Sequence, residues 1–118
     1  MSEQRYSGSC QCGAVVFEAD LDLASTITCN CSRCQRLGSV LTFTPRAKFQ
    51  LFSGQGNLTE YLFNKHKIKH QFCKTCGIEP FAYGEGPDGT PMAAVNVNCL
   101  DGVEPRALKS KHVDGRSW

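Results

Sequence analysis

The stretch Cys73-Lys74-Thr75-Cys76-Gly77 decides how this chain folds, together with its earlier counterpart Cys10-Gln11-Cys12-Gly13. Two cysteines separated by one or two residues can turn both sulfurs toward one point, and a tight turn between them aims backbone N–H groups at the sulfurs. The glycine after each pair can adopt a positive φ where the chain leaves the turn. The two pairs therefore predict a four-thiolate metal clamp that ties the start of the chain to its middle.

Zinc is the metal that this donor set favours. A structural zinc site takes four ligands at tetrahedral corners, with each sulfur about 2.3 Å from the metal. Disulfides are the alternative for eight cysteines, but nothing in the sequence indicates secretion, and cytosolic thiols are kept reduced. We therefore predict a structural zinc ion on Cys10, Cys12, Cys73 and Cys76, which we call the first cysteine group.

The middle cluster, Cys29-Asn30-Cys31-Ser32-Arg33-Cys34, offers one thiolate fewer. Three protein ligands and one exchangeable position are typical of a catalytic zinc ion. We predict a second, open zinc site on Cys29, Cys31 and Cys34, the second cysteine group. The alternative is that Cys99 supplies a fourth sulfur and closes the site, although a solitary cysteine at a strand end is equally typical of a small buried apolar residue.

The histidines and the net charge favour no other function. His66 and His70 are four residues apart, a spacing that places two imidazoles on one helical face, but their segment has the pattern of a strand. The basic run 65–70 indicates the solvated face and turn of a β-hairpin. Thirteen Lys and Arg against eleven Asp and Glu give a formal charge of +2, which is too small to indicate a nucleic-acid or membrane partner.

Short β-type runs alternate with Gly, Pro, Asn and Asp along the chain. The runs are residues 13–19, 25–28, 40–44, 49–52, 58–63, 67–72, 80–83 and 92–97. They predict a mainly β fold of antiparallel sheets with very little helix, since Ser32–Leu37 is the best candidate for even one helical turn. Residues 83–91 predict either a plain hairpin loop or the mobile rim of a pocket.

The chain has the length of one domain. No stretch of its 118 residues has the composition of a linker between two cores, so we expect a single zinc-binding domain over residues 1–118. The first residues are polar and do not resemble a signal peptide. No apolar run reaches the length of about 18 residues that spans a bilayer. We therefore expect a cytoplasmic protein.

The order of the cysteines, CxC, CxCxxC and CxxCG, resembles that of the glutathione-dependent formaldehyde-activating enzyme family, which also includes centromere protein V. Flanking residues strengthen the resemblance. They are the stretches 8–15 (GSCQCGAV), 31–36 (CSRCQR), 72–77 (FCKTCG) and 96–101 (NVNCLD). The similarity extends over about residues 5–103, nearly the whole predicted domain.

The resemblance implies a fold, a metal content and an activity. The fold is a β-tent of stacked antiparallel sheets, with a structural zinc ion on the first cysteine group and a second zinc ion on Cys29, Cys31 and Cys34, the catalytic centre. The activity is that of a carbon–sulfur lyase acting on a small thiol or aldehyde adduct, the family reaction being the condensation of formaldehyde with glutathione to S-hydroxymethylglutathione. A non-catalytic zinc module that binds a protein partner is the alternative function.

Overall fold

The structure is a computed structural model that describes residues 3–62 and 68–117. Ten strands and one α-helix lie within these ranges. They are β1 (Gln4–Ser9), β2 (Val16–Leu21), β3 (Ile27–Cys29), α1 (Ser32–Leu37), β4 (Leu41–Pro45), β5 (Phe49–Ser53), β6 (Leu58–Tyr61), β7 (Lys69–Cys73), β8 (Phe81–Glu85), β9 (Pro91–Asn96) and β10 (Lys111–Val113). Single 3-10 turns occur at Arg46–Lys48, Val97–Cys99, Pro105–Ala107 and Gly115–Ser117.

The described strands form two sheets. The smaller sheet is antiparallel with the order β1-β2-β5, and the larger has the order β10-β3-β4-β9-β8-β7-β6. The predicted mainly β fold with little helix is therefore confirmed. The expectation of purely antiparallel sheets fails at one place, because the described strands β3 and β10 run parallel. A single bridge between Gly8 and Leu100 links β1 to the chain after β9.

Aromatic rings fill the space between the two sheets. Every second side chain of β2 is buried, beginning with Phe17, as expected of a strand with one face toward a core. The Phe17 ring stacks on Phe49 of β5 with centroids 5.4 Å apart and meets Phe81 of β8 edge-on at 5.9 Å. Because Phe81 belongs to the larger sheet, these three rings join the sheets into one core.

The Phe17→Ala variant is expected to lose about 3–5 kcal/mol of unfolding free energy, because the fully buried ring would leave a cavity that β-sheets cannot collapse around. Urea unfolding followed by circular dichroism measures the loss. Phe52→Ala is the matched control, since the Phe52 side chain is 49% exposed, and it should cost less than about 1 kcal/mol. Equal losses in the two variants would contradict the assignment of Phe17 to the core.

The opposite face of the larger sheet carries α1. A row of paired residues crosses this face, consisting of Phe43, Ala94, Ala82, His70 and Tyr61. The guanidinium of Arg33, in α1, lies 4.7 Å from the centroid of the Tyr61 ring. This helix has six residues and matches the predicted helical turn. Within residues 3–62 and 68–117, no helix is long and apolar enough to cross a membrane.

Two strands were not predicted. β1 is a polar segment whose register is fixed across β2, where Arg5 contacts Glu18 and Asp20 at 3.1 and 3.3 Å. β10 has three residues and acquires its conformation from pairing with β3. The predicted hairpin formed by 58–63 and 67–72 exists as β6 and β7, whereas its turn, with His66, lies outside the described residues. Neither missed strand has the apolar alternation that identifies a strand locally.

Candidate metal centres

The first cysteine group is assembled as predicted. The four sulfurs of Cys10, Cys12, Cys73 and Cys76 all lie within 4.8 Å of one another. The Cys12 sulfur is 3.7 Å from the Cys10 sulfur and 3.7 Å from the Cys73 sulfur. Four sulfurs placed about 2.3 Å from a central ion would be about 3.8 Å apart, so this spacing fits a tetrahedral metal site. The group joins the end of β1, in the smaller sheet, to the end of β7, in the larger.

Hydrogen-bond donors surround the sulfurs of this group. The Thr75 backbone N–H and the Asn57 side-chain amide donate to Cys73 Sγ at 3.3 and 3.4 Å. The backbone N–H of Ile78 lowers the pKa of Cys76 to about 6. Such donors stabilise the charged form of a thiol, which is the form that binds metals. The loop after β7 therefore favours the thiolate form of Cys73 and Cys76, whereas burial and the neighbouring Cys73 and Cys10 raise the pKa of Cys12 to about 11.

The glycine after each cysteine pair has a positive φ, as predicted, with 81° at Gly13 and 79° at Gly77. A Cβ at either position would have no other atom within 4 Å. A lack of room for a side chain therefore does not explain why glycine occurs at these two positions. The reason is the left-handed backbone conformation, which other residues adopt at a cost.

The second cysteine group brings three sulfurs together around the start of α1. Cys29 ends β3, Cys31 caps the helix and Cys34 lies in its first turn, and their sulfurs are within 4.8 Å of one another. The Cys34 N–H donates to Cys31 Sγ at 3.3 Å, and the Cys31 N–H donates to Cys29 Sγ at 3.4 Å. Residues three apart share a helix face, which explains why Cys31 and Cys34 point the same way.

Three donors leave one corner of a tetrahedral site to another ligand. Burial raises the pKa of the Cys34 thiol to about 12, and the neighbouring Cys31 and Cys29 add to this effect. A bound cation would reverse this preference, because it stabilises the thiolate form of each ligand. The donor set therefore fits a metal ion with one exchangeable position.

Residues 113–116 pass directly over the second cysteine group. The side chains of Asn30 and Asp114 are hydrogen-bonded at 2.9 Å, and the Arg116 N–H donates to Asn30 Oδ1 at 2.9 Å. Gly115 is buried so close to Cys29 that a Cβ would collide with the Cys29 sulfur. The sequence analysis did not identify this covering segment. Its only local signal is the Asp114-Gly115 dipeptide, a turn indicator.

Cys99 belongs to neither cysteine group. Among the described residues, the groups with sulfurs within 4.8 Å of one another are the two above. Burial raises the pKa of the Cys99 thiol to about 12, with further contributions from Cys10, Cys76 and Glu79. Two of these neighbours are members of the first group, so Cys99 lies toward that side of the molecule. The geometry thus favours an open second site over one closed by Cys99.

Cys99 is expected to resist alkylation in the metal-loaded protein. A thiol with a pKa of about 12 forms thiolate about a thousand times less often at pH 7 than one at the ordinary value of 9.0. Iodoacetamide should therefore label Cys99 about a thousandfold more slowly than a cysteine peptide, with a rate that rises about tenfold per pH unit above about pH 7. Peptide mass spectrometry measures the rate. Urea-unfolded protein is the control, and rapid labelling of the folded chain would contradict the burial of Cys99.

Other candidate features belong to neither cysteine group. His70 Nδ1 is 2.9 Å from the carboxylate of Glu79, so this histidine belongs to a buried polar contact. Residues 85–90 form a hairpin loop, closed by a hydrogen bond from the Gly86 N–H to the Thr90 carbonyl at 2.8 Å. That loop precedes β9, whose far end at Asn96 pairs with β4, about 17 Å along the strand. The plain hairpin predicted for residues 83–91 is therefore present between β8 and β9.

A surface cavity of about 380 Å³ opens beside α1. Its walls are Ser32, Arg33, Arg36, Leu37 and Tyr61. Two of these residues, Ser32 and Arg33, stand between Cys31 and Cys34 in the sequence, so the cavity lies on the helix that carries Cys34 and begins after Cys31. The Arg36 guanidinium is partly exposed and donates to the Ser32 carbonyl at 3.0 Å.

Comparison with known proteins agrees with this arrangement. A family model described as glutathione-dependent formaldehyde-activating enzyme matches residues 5–113. The chain belongs to this family. Its structure is also similar to the crystal structure of a Rhodobacter sphaeroides protein, a structural genomics target, with a TM-score of 0.81 and 34% sequence identity. That similarity covers 91% of this chain and 99% of the other.

Membership of the glutathione-dependent formaldehyde-activating enzyme family confirms the resemblance carried by the cysteine order. The family match ends at residue 113, beyond the expected end near residue 103. The additional residues include β10, the strand that pairs with β3 beside the second cysteine group. The family unit therefore includes the parallel strand that leads into the covering segment.

Proposed function

We propose that this protein is a zinc-dependent enzyme of carbon–sulfur bond chemistry, with formaldehyde and a small thiol such as glutathione as its substrates. Family membership supports the reaction class. The observation that carries the proposal is the second cysteine group, where three sulfurs converge and Cys99 stays apart. One zinc ion would belong to the first group as a structural ion, and the second would be held by Cys29, Cys31 and Cys34.

The reaction forms one carbon–sulfur bond and involves no oxidant or reductant. The sulfur lone pair of the thiol attacks the carbonyl carbon of formaldehyde, and the C=O π electrons move to the oxygen. That oxygen takes up the proton that the thiol releases, which gives the S-hydroxymethyl adduct. The reverse sequence cleaves the adduct. Catalysis requires that the thiol lose its proton easily and that both reactants be held together.

The residues of the second group suit this task. Zinc at such a site supplies a positive charge that favours the thiolate form of a substrate thiol. Three cysteine thiolates donate more charge than three imidazoles would, so activation of the thiol is favoured over strong polarisation of the aldehyde. The cavity beside α1 would give a substrate room on the helix that Cys31 caps and that carries Cys34.

The test is NMR exchange spectroscopy with zinc-loaded protein, 13C-formaldehyde and glutathione. We expect the exchange between formaldehyde and the adduct to accelerate by about tenfold or more over protein-free buffer. Protein whose zinc has been removed by a chelator is the control. A chain that holds two zinc ions but accelerates no thiol in a panel including glutathione, cysteine and 2-mercaptoethanol would contradict the proposal.

A non-catalytic zinc module is the second candidate, and one observation favours it. The outer face of the larger sheet exposes Phe43 and Ile68, which are 48% and 47% exposed. A contiguous exposed apolar patch on one face marks a protein-binding surface. Failure of the exchange test, together with a partner whose binding is lost in Phe43→Ser, would favour this function. A cytoplasmic location stays a prediction from the sequence.

A further inference from the structure

A buried carboxylate lies between the two cysteine groups. Glu79 is 5% exposed and follows Cys76, the last cysteine of the first group, by three residues. An ionised carboxylate removed from water is costly unless charged or hydrogen-bonding partners satisfy it. The groups that contact the Glu79 carboxylate therefore indicate its role in the structure.

Both carboxylate oxygens of Glu79 are engaged. The Arg33 guanidinium donates to Oε1 through Nε at 3.0 Å and through Nη2 at 2.5 Å. His70 Nδ1 donates to Oε2 at 2.9 Å. The backbone carbonyl of Glu79 accepts a hydrogen bond from the Asn96 side chain at 3.0 Å. Glu79 is thus fixed by β7 and β9 and holds α1 through Arg33.

Arg33 is a residue of the second group's own helix, placed between Cys31 and Cys34. Its guanidinium is also held by aromatic rings, with centroids 4.7 Å away at Tyr61 and 5.9 Å away at Phe72. Stacking on rings and pairing with a carboxylate use the planar guanidinium in ways that lysine cannot reproduce. The Arg33 side chain therefore has one fixed position.

α1 is capped at both ends but has no fully buried side chain to anchor it to the core. It has six residues, none of them buried, whereas helices this short are unstable in water without tertiary contacts. Among the described residues, the ion pair with Glu79 is the salt bridge that α1 makes. Hydrogen bonds from Arg116 to Gln35 and from Asn98 to the Gly38 carbonyl join it at the exposed side. The distance of the Cys31 and Cys34 sulfurs from the Cys29 sulfur, on β3, depends on where this helix lies.

We propose that Glu79 and Arg33 are positioning residues that set the metal affinity of the second cysteine group. This inference rests on the proposed metal binding by Cys29, Cys31 and Cys34. Glu79 follows the cysteine loop of the first group in the sequence, and its carboxylate is paired with Arg33 in the helix of the second group. The pair thus holds the helix of Cys31 and Cys34 in place relative to Cys29 on β3, so that the three thiolates keep the geometry that one metal ion requires.

The experiment measures Co²⁺ and Zn²⁺ affinity at each centre by competition with a chromophoric chelator. The variants are Arg33→Met, Arg33→Lys and Glu79→Gln, with the double variant Arg33→Met/Glu79→Gln. The double variant removes both charges at nearly constant volume, so it leaves no unpaired charge in the interior. The visible spectrum of Co²⁺ in Cys34→Ser protein identifies the signal of the first centre alone.

We expect the double variant to bind metal at the second group about 10- to 100-fold more weakly, with the first centre unchanged. Arg33→Lys keeps the positive charge but lacks the planar set of guanidinium N–H donors. Its metal affinity at the second group should therefore lie between those of Arg33→Met and the wild type. Glu18→Gln is the matched control, since it breaks the exposed pair between Glu18 and Arg5, and it should change neither centre.

The possible results separate the two ideas. A folded double variant with wild-type affinity at the second group, or with equal weakening at both centres, would overturn the positioning role alone. A wild-type chain that binds only one metal ion would overturn the proposed function and this inference with it. Selective weakening of the second centre, partly restored by Arg33→Lys, supports the inference.

Discussion

A Cys73→Ser chain is expected to lose the cooperative thermal unfolding transition of the wild-type protein. Cys73 is buried, ends β7 and accepts hydrogen bonds from Thr75 and Asn57. Loss of its thiolate would leave three ligands where a structural site needs four. Binding of structural zinc contributes folding free energy on the scale of a small domain's whole stability. Circular dichroism melting and native mass spectrometry together measure the outcome.

The control for this experiment is Cys99→Ser. Cys99 is a partly buried cysteine near the first group but outside it, so its loss should leave the metal count unchanged and lower the melting temperature only modestly. A Cys73→Ser protein that melted like the wild type with its full metal content would show that the first group is not structural. Chelation of the wild-type protein should reproduce the Cys73→Ser behaviour, because it removes the same cross-link.

The Cys34→Ser variant should lose catalysis but not its fold. The second group would keep two thiolates, too few to hold zinc in place, and the exchange of formaldehyde with the glutathione adduct should fall to the rate in buffer. α1 has no buried residue, so the melting temperature should change by less than about 5 °C. Metal content should fall by one ion per chain. NMR exchange, calorimetry and metal analysis measure these three quantities on one sample.

Cys99→Ser also tests the competing closed-site hypothesis. If the second centre is open, this variant keeps both metal ions and its activity. Release of one ion from Cys99→Ser would indicate that Cys99 is the fourth ligand and that no position remains for substrate. Retained activity in Cys34→Ser would place the chemistry elsewhere in the molecule.

The features that could be predicted from the sequence are local ones. Cysteine spacing predicted the second group and each pair of the first, because residues one to three apart are held together by the backbone itself. That the two pairs meet, although Cys12 and Cys73 are 61 residues apart, followed from the four ligands that a structural zinc ion needs. The helical turn at Ser32–Leu37 was predicted with its observed bounds. Short β-type runs predicted the mainly β fold, since alternation reflects a strand with one buried face.

The features that could not be predicted depend on contacts between distant residues. Glu79 is an ordinary charged residue in the sequence, and only the fold places it against Arg33 and His70. The polar strand β1 takes its register from β2. Nothing in the sequence around residue 115 requires a glycine. Glycine is needed there because a Cβ would collide with the Cys29 sulfur. Tertiary packing decides such positions, so a single sequence carries little sign of them.

The segment that covers the second cysteine group is synthesised well after the cysteines that it covers. Asn30 and its partner Asp114 are 84 residues apart. At the usual rate of about 5–20 residues per second, the ribosome needs about 4–17 s to synthesise that interval. During this time Cys29, Cys31 and Cys34 have no cover, and oxidants and competing metals such as copper can reach them. The newly made protein is therefore most vulnerable at its second cysteine group before residues 113–116 are added.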